Sequence, residues 1–185
     1  MILICGAGIT GLSIARELLN KGFSDITIIE KERTLGKHAS GRNSGVLHAG
    51  IYYTPDSLKA QFCLKGNRLM KQYCKEKGLT LIESGKVIVT KKETELPTLE
   101  ELYRRAKLNG ALVEIIDEKA LKEIEPYAKT CKKALFSPET AIINPDEILN
   151  VLESELSFTS AFAFAEFIVK KYLMEKGNDK LGSGT

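Results

Sequence analysis

The segment Ile2–Glu30, which reads ILICGAGITGLSIARELLNKGFSDITIIE, decides the fold of this chain of 185 residues. Its first residues, Ile2–Cys5, form a short apolar run that is typical of a buried strand. The glycines that follow at once have G-x-G-x-x-G spacing, and they are Gly6, Gly8 and Gly11. This spacing permits a sharp turn into a helix, a close approach of a pyrophosphate to the backbone, and close packing of the helix on the sheet.

A predicted helix and a second strand complete a βαβ unit. The helix covers Thr10–Lys21 and carries an apolar face, and Gly22 is placed to end it. The strand over 25–30 ends in Glu30, whose carboxylate can accept hydrogen bonds from the ribose hydroxyls of an adenosine. A lone glycine motif is weak evidence, but strand, helix and acid together predict a dinucleotide site. The alternative is a tight strand-to-helix turn that binds no ligand.

The composition disfavours several other classes of protein. A net charge of +3, from 27 basic and 24 acidic residues, predicts neither a nucleic-acid surface nor a polybasic membrane patch. The longest apolar segment, 158–169, is shorter than the roughly 20 residues of a membrane span. Four cysteines without a C-x-x-C pair favour a reducing compartment, and two histidines predict no metal site. No signal peptide is expected, because the first strand begins directly after Met1.

Residues 39–53, ASGRNSGVLHAGIYY, are the second informative segment. The six successive residues Ser40–Gly45 are small or polar, so backbone amides and short side chains there could surround a planar or phosphorylated ligand. An ordinary nicotinamide-binding repeat would instead begin a helix and a third strand at this point. A nicotinamide cofactor is therefore the least favoured alternative.

With these residues the chain resembles the FAD-dependent L-2-hydroxyglutarate oxidases and dehydrogenases, a branch of the D-amino-acid-oxidase-like flavoproteins. The glycine turn occurs in many dinucleotide proteins, whereas the run GRNSGVLHAGIYYTPDSLKAQFCLKG, residues 41–66, is typical of this branch. The resemblance continues through GKVIV (85–89), EPY (125–127) and SPETAI (137–142) to about Leu156. It implies an α/β fold, in which a Rossmann-like FAD-binding domain with a mostly parallel sheet is joined to a partial α+β substrate domain.

The resemblance also implies a division of the chain. Residues 1–78 would be the first part of the FAD-binding domain, 79–144 a partial substrate-binding domain, and 145–185 a return to the FAD-binding domain with a terminal helix and a frayed tail. Family members are roughly twice as long, and the sequence after Leu156 resembles the family's final helix. We therefore predict an internal deletion near Leu156, with a frameshift or an unusual natural end as the alternatives. The deletion would leave unpaired strand edges that an oligomer could cover. Other predicted elements are a helix over 56–77, strands within 79–90, a helix over 96–109, a strand over 111–116, a short helix over 117–124, extended segments over 134–144 and a helix over 146–156.

Roles for individual residues follow from the resemblance as well. His48 would be catalytic: it would approach the flavin and the substrate, and could take the proton of a 2-hydroxyl as hydride leaves for the flavin. The alternative is that the His48 imidazole braces its loop through hydrogen bonds, while His38 is expected to be plain surface. The residues that would contact FAD are Gly6, Gly8, Gly11, Glu30, Lys31, Ser40, Arg42, Asn43, Ser44, Gly45 and Thr159.

Two side-chain assignments stay open. Arg42 could clamp a carboxylate or phosphate, or could be a surface arginine. At most one of Tyr52 and Tyr53 is expected to line the flavin pocket, because neighbouring strand residues face opposite sides.

The implied function is oxidation of L-2-hydroxyglutarate to 2-oxoglutarate by hydride transfer to FAD, with oxygen or a membrane quinone chain as electron acceptor. One alternative is a related FAD-dependent amine or amino-acid oxidase, or a glycerol-3-phosphate dehydrogenase. Another is an inactive fragment that binds nucleotide. The expected location is cytoplasmic, with peripheral attachment to the inner face of the cell membrane as a variant.

Overall fold

The computed structural model describes the backbone of residues 1–168 and the side chains of residues 1–156. In chain order the elements are β1 (Ile2–Cys5), α1 (Ile9–Asn20), β2 (Ile26–Ile29), β3 (Val46–Leu47), α2 (Leu58–Lys77), β4 (Leu81–Ile82), β5 (Lys86–Val89), α3 (Leu96–Leu108), β6 (Glu114–Ile116), α4 (Glu118–Ile124), β7 (Ala134–Ser137), β8 (Ala141–Ile143) and α5 (Pro145–Ile168). They form two units. Unit 1 comprises residues 1–43 and the segment from Pro145 onward, and unit 2 comprises Ser44–Asn144.

Unit 1 is the predicted βαβ unit with one further helix. Strands β1 and β2 pair in parallel, with Ile2 opposite Ile26 and Cys5 opposite Ile29, and α5 packs against α1. Alternate strand residues are partly buried, whereas Leu3 and Ile29 are about half exposed, at 53% and 50%. Among the described residues this sheet has only these two strands, so each has one unpaired edge.

The glycine turn brings α1 close to the sheet, as the motif predicts. Gly6 has φ +101°, a conformation that side chains rarely adopt. A Cβ at Gly11 would collide with the carbonyl oxygen of Gly6. Gly11 is therefore required for the close approach of the helix to the end of β1.

Unit 2 contains two three-stranded antiparallel sheets, in the orders β3-β8-β4 and β5-β7-β6. Helix α2 begins with Ser57, whose Oγ accepts a hydrogen bond from the Ala60 amide at 3.2 Å, and it ends at Gly78 in the left-handed conformation. The main core cluster consists of Ile51, Leu64, Leu99, Ala106, Ala111, Val113 and Leu135. Every element predicted between residues 56 and 144 has a counterpart here, with shifted ends.

The two compact units of the structure meet at Asn43–Ser44, whereas the predicted domains divide after residue 78. The reason is α2, which packs with unit 2: its Leu64 lies in the core with Leu99 and Leu135. Side-chain hydrogen bonds from Asn67, also in α2, reach β3 and the turn before β8. These contacts bridge large distances in sequence, so local patterns do not reveal them.

Helix α5 also differs from the sequence prediction. It runs without a break from Pro145 to Ile168, where a helix ending near Leu156 and a second helix capped by Thr159 were expected. The side chain of Thr159 lies outside the described residues, so its contact with a flavin stays a prediction. None of the helices within residues 1–168 has the length and apolar character that a bilayer span requires.

Candidate cofactor site and histidine loop

The N-terminus of α1 in unit 1 offers unpaired amide groups. The Gly6 amide donates to the Ile29 carbonyl at 2.7 Å, which ties the turn to β2. The Ile9 amide donates to Ser40 Oγ at 3.0 Å. Within the described part of the chain, the amides of Gly8 and Thr10 have no hydrogen-bond partner. Since a helix N-terminus carries partial positive charge, this arrangement suits the oxygens of a diphosphate.

Ser40 closes one side of this turn. Its hydroxyl accepts from the first amide of α1, and its contact with FAD stays a prediction. A Cβ at Gly8 would lie 2.8 Å from Ser40 Oγ, so Gly8 leaves room for both the hydroxyl and the backbone approach. Asn43 supports the same loop by donating to the carbonyls of Ala39 and Ser40, at 3.1 and 2.8 Å.

Glu30 directs its carboxylate into the glycine-lined crevice. Oε2 accepts from the Ala7 amide at 2.8 Å, and Oε1 accepts from the Glu32 amide at 3.0 Å. These bonds, with the Glu32 amide as the larger cause, lower the pKa of Glu30 below its ordinary value. The acid is thus ionised at neutral pH, and each oxygen keeps a lone pair for a ribose hydroxyl.

Glu32 and His38 form a pair that the sequence did not predict. His38 Nε2 lies 2.7 Å from Glu32 Oε1, and this hydrogen bond is the main cause that lowers the pKa of Glu32. Both residues line a small cavity of about 40 Å³ together with Gly8, Glu30 and Ser40. His38 is a surface residue, as expected, and one that also borders the crevice. A glutamate and a histidine six positions apart in a loop give no recognisable pattern.

A larger cavity of about 390 Å³ adjoins Glu30. Its walls are mostly apolar and come from one face of α1, from β2 and from α5, including Leu12, Ala15, Ile26, Ile28 and Leu156. Glu30 and Arg33 lie at its polar side. An apolar cavity beside a ribose-binding acid has the character of a site for a flat heterocyclic base.

Lys31 and Arg42 do not take part in a closed site within unit 1. The Lys31 ammonium lies 3.8 Å from Glu32 Oε1 and its side chain is largely exposed. The Arg42 side chain is exposed, and its amide donates to the His38 carbonyl at 2.9 Å. Their contacts with FAD stay predictions.

His48 lies in unit 2, directly after β3, with its side chain exposed. Its imidazole has no hydrogen-bond partner among the described residues, so the hydrogen-bonded bracing imidazole considered above is not what the structure contains. Partial burial, and secondarily the charge of Lys86, lower the pKa of His48 below its ordinary 6.5. A neutral imidazole that can accept a proton is therefore available at neutral pH.

Side chains of α2 hold the backbone of the His48 loop through hydrogen bonds. Asn67 Nδ2 donates to the carbonyls of Leu47 at 3.0 Å, His48 at 3.3 Å and Glu139 at 3.0 Å. Cys63 Sγ donates to the His48 carbonyl at 3.4 Å. These contacts fix the backbone on which the imidazole stands.

The two ends of this loop are anchored as well. The Gly45 carbonyl accepts from the Ile143 amide at 2.9 Å, and Gly45 itself has φ +66°. Asn109 Nδ2 donates to the carbonyls of Gly50 and Tyr53, each at 3.0 Å. Gly45 thus has a structural role in unit 2, and Ser44 beside it is exposed.

Comparison with known proteins decides the family. The family model described as FAD dependent oxidoreductase matches residues 1–157. The chain belongs to this family. The predicted relationship to L-2-hydroxyglutarate dehydrogenases and the predicted FAD-dependent class are both confirmed.

Relatives in the family support the more specific resemblance. The mitochondrial L-2-hydroxyglutarate dehydrogenase of Caenorhabditis briggsae is 44% identical over 145 residues, which are 77% of this chain and 33% of that protein. The human protein of the same name is 36% identical over 177 residues, 95% of this chain and 38% of that one. The chain thus spans about a third of the length of these relatives.

Solved structures in the family share the fold. L-α-glycerophosphate oxidase from Mycoplasma pneumoniae with FAD bound has a TM-score of 0.75 at 26% identity, covering 86% of this chain and 42% of that one. Glycine oxidase from Geobacillus kaustophilus has a TM-score of 0.75 at 23% identity, covering 86% and 44%. These likenesses confirm the predicted α/β, Rossmann-like fold, and the parallel pair β1–β2 is the part of it that carries the glycine turn.

Asn67 is a residue of this family member that sequence reasoning missed, although a signal existed. It occupies a buried position of α2, three residues after Leu64 and seven before Cys74, so a polar residue stands on the apolar face of a helix. A buried polar side chain requires partners, and these turn out to be carbonyls of the His48 loop.

Replacing Asn67 tests this support. Asn67→Leu keeps the branching of the side chain but leaves the three carbonyls without their donor, and we expect the free energy of unfolding to fall by about 2–3 kcal/mol. Chemical denaturation followed by circular dichroism measures the change. The exposed Gln72, in the same helix, provides the control, since Gln72→Leu should change the value by no more than about 0.5 kcal/mol. Equal losses in the two variants would contradict the assigned support.

Proposed function

We propose that this chain binds FAD through unit 1 and that unit 2 contributes His48 to the oxidation of a 2-hydroxy acid, with L-2-hydroxyglutarate as the substrate. The observation that carries the proposal is the ionised Glu30 carboxylate held beside the open N-terminus of α1. The choice of L-2-hydroxyglutarate as the substrate rests on the relatives named L-2-hydroxyglutarate dehydrogenase.

The described residues fit an adenine dinucleotide. Free amides at Gly8 and Thr10 suit the diphosphate, and Glu30 suits a ribose with both hydroxyls free. The apolar cavity of about 390 Å³ provides walls for adenine. A 2′-phosphate would be repelled by Glu30, which favours FAD over NADP.

The chemistry divides between cofactor and protein. FAD, when bound, accepts the hydride that leaves the C2 carbon of the substrate. His48 takes the hydroxyl proton, so that the C2–O bond becomes a carbonyl and 2-oxoglutarate is formed. The lowered pKa of His48 keeps the imidazole neutral and ready for this proton at pH 7.

A second candidate is a chain that binds nucleotide without turnover. It is favoured by the two-stranded sheet of unit 1, whose outer edges are unpaired among the described residues. The chain also spans only about a third of its relatives. An oligomer that covers these edges, a cytoplasmic location and oxygen or quinone as electron acceptor remain predictions.

The purified chain distinguishes these candidates. Its visible absorption spectrum is recorded with and without added FAD, and L-2-hydroxyglutarate is then added without oxygen. Bound flavin that is bleached by the L-enantiomer and not by glycine or glycerol 3-phosphate supports the proposal. Bound flavin that no substrate bleaches supports the second candidate, and absence of flavin binding contradicts both.

A further inference from the structure

Strand β5 places a cation near the His48 backbone in unit 2. The Gly85 amide, just before Lys86, donates to the Thr140 carbonyl at 3.0 Å, and Leu47, just before His48, is paired with Ala141. Lys86 is the first residue of β5, and its backbone is paired with Ser137 of β7. Its side chain is partly buried, and Nζ lies 4.6 Å from the centroid of the Tyr52 ring. The sheet and the ring together fix the position of this ammonium group.

Lys86 differs from its neighbouring lysines in having no carboxylate partner among the described residues. Lys71 and Lys75 both pair with Glu83, at 3.1 and 3.0 Å, while Lys133 pairs with Glu100 at 3.2 Å. The group that contacts the Lys86 ammonium is instead the Tyr52 ring. A partly desolvated ammonium without a counter-ion favours the binding of an anion.

We propose that Lys86, held by Tyr52, binds the carboxylate that a 2-hydroxy acid carries next to its hydroxylated carbon. This inference rests on the proposed function, because it names the substrate group that His48 and Lys86 share. In such an acid the carboxylate and the hydroxyl stand on adjacent carbons. If a cation near His48 binds the carboxylate, the hydroxyl on the next carbon therefore lies close to the imidazole.

The ionisation of His48 agrees with this arrangement. The charged group that acts on it is Lys86 from β5, which lowers the pKa of His48 in addition to the larger effect of burial. Tyr52, from the following turn, contacts Lys86, and Cys63 from α2 contacts the His48 carbonyl. An anion bound to Lys86 would offset that charge and raise the pKa of His48 again.

Histidine NMR signals report this site directly. The chain contains two histidines, His38 and His48, so isotope-labelled histidine gives two ring signals, and His38→Asn assigns them. The full chain is titrated with 2-oxoglutarate, which cannot donate a hydride from C2. We expect the His48 signal to shift and saturate, while the His38 signal in unit 1 stays in place.

Variants decide whether Lys86 is the binding group. Lys86→Met keeps the aliphatic stem and should weaken the apparent affinity for 2-oxoglutarate by about tenfold or more, whereas Lys86→Arg should retain most of it. Lys59 is the matched control, because its Nζ lies 4.8 Å from the ring centroid of Tyr53. Lys59→Met should leave the affinity unchanged.

The pKa of His48 gives a second readout. Without ligand, it should rise in Lys86→Met and stay unchanged in Lys59→Met. Binding that is unchanged in Lys86→Met, or weakened equally in Lys59→Met, would overturn the proposal, and so would a His48 signal that 2-oxoglutarate never moves. An equal response to inorganic phosphate would also overturn it, since it shows a general anion site.

FAD binding, measured in parallel by absorbance, separates this inference from the proposed function. Loss of carboxylate binding with FAD binding intact refutes the role of Lys86 alone. Failure of the wild-type chain to bind FAD refutes the proposed function, whatever the NMR titration shows.

Discussion

His48→Asn is expected to slow the reduction of bound FAD by L-2-hydroxyglutarate by about 10²- to 10⁴-fold, the range that a positioned general base contributes. Asparagine can occupy the space of the imidazole but cannot accept the hydroxyl proton. The loop backbone should stay in place, because Asn67 and Cys63 hold the carbonyl of residue 48 and not its side chain. Anaerobic stopped-flow measurement of flavin absorbance gives the rate.

His38 provides the control for this experiment. It lies in unit 1 and pairs with Glu32, so His38→Asn should leave the rate of flavin reduction within about twofold of wild type. The affinity for FAD should be unchanged in His48→Asn. A His48→Asn protein that reduces flavin at the wild-type rate would remove His48 from the reaction.

The pH dependence of flavin reduction follows from the same residue. The neutral imidazole is the active form, and the pKa of His48 lies below 6.5 because of burial and Lys86. At substrate concentrations well below saturation, where the rate reports the free protein, it should therefore be constant above about pH 6.5 and should fall only at lower pH. In Lys86→Met this fall should begin at higher pH.

Glu30→Gln is expected to weaken FAD binding by about 10- to 100-fold, because a neutral amide replaces a charged acceptor of hydrogen bonds. The substitution also turns one of the two acceptor oxygens, which now bind the amides of Ala7 and Glu32, into a donor. The crevice would lose one of these two hydrogen bonds in addition to its ribose contact, while the bond from the Gly6 amide to the Ile29 carbonyl remains. Equilibrium titration with FAD, followed by flavin fluorescence, measures the affinity.

Glu17→Gln is the matched control for Glu30→Gln. Glu17 lies on the exposed side of α1 and contacts Lys21 one turn later, at 3.3 Å. Its replacement makes the same change of charge in the same unit without touching the crevice. If both variants bound FAD as tightly as wild type, ribose recognition by Glu30 would be wrong.

The parts of the fold that depend on neighbouring residues could be predicted from the sequence. The turn at Gly6, the packing requirement at Gly11 and the acid at the end of β2 all follow from the βαβ geometry. The capping of α2 by Ser57 and its end at Gly78 follow from local helix chemistry in the same way.

The parts of the fold and of the site that depend on contacts between distant residues could not be predicted from the sequence. Asn67 binds carbonyls on both sides of it in the chain, as far away as Glu139, and this placed α2 with unit 2. Ser40 turned out to bind the Ile9 amide, because the loop folds back over the start of α1. The contact of Lys86 with Tyr52 joins β5 to the turn after His48, and no periodic pattern in the sequence reveals it.

The central claim is that the backbone amides that follow β1 bind the diphosphate of FAD through hydrogen bonds. Amide NMR spectra of the labelled full chain, recorded with and without FAD, test it most directly. We predict that the signals of Gly8, Thr10 and Gly11 shift strongly and saturate with the flavin absorbance, while the signal of Gly66 in α2 stays in place. FAD binding that leaves these three glycine-turn signals unmoved would contradict the account.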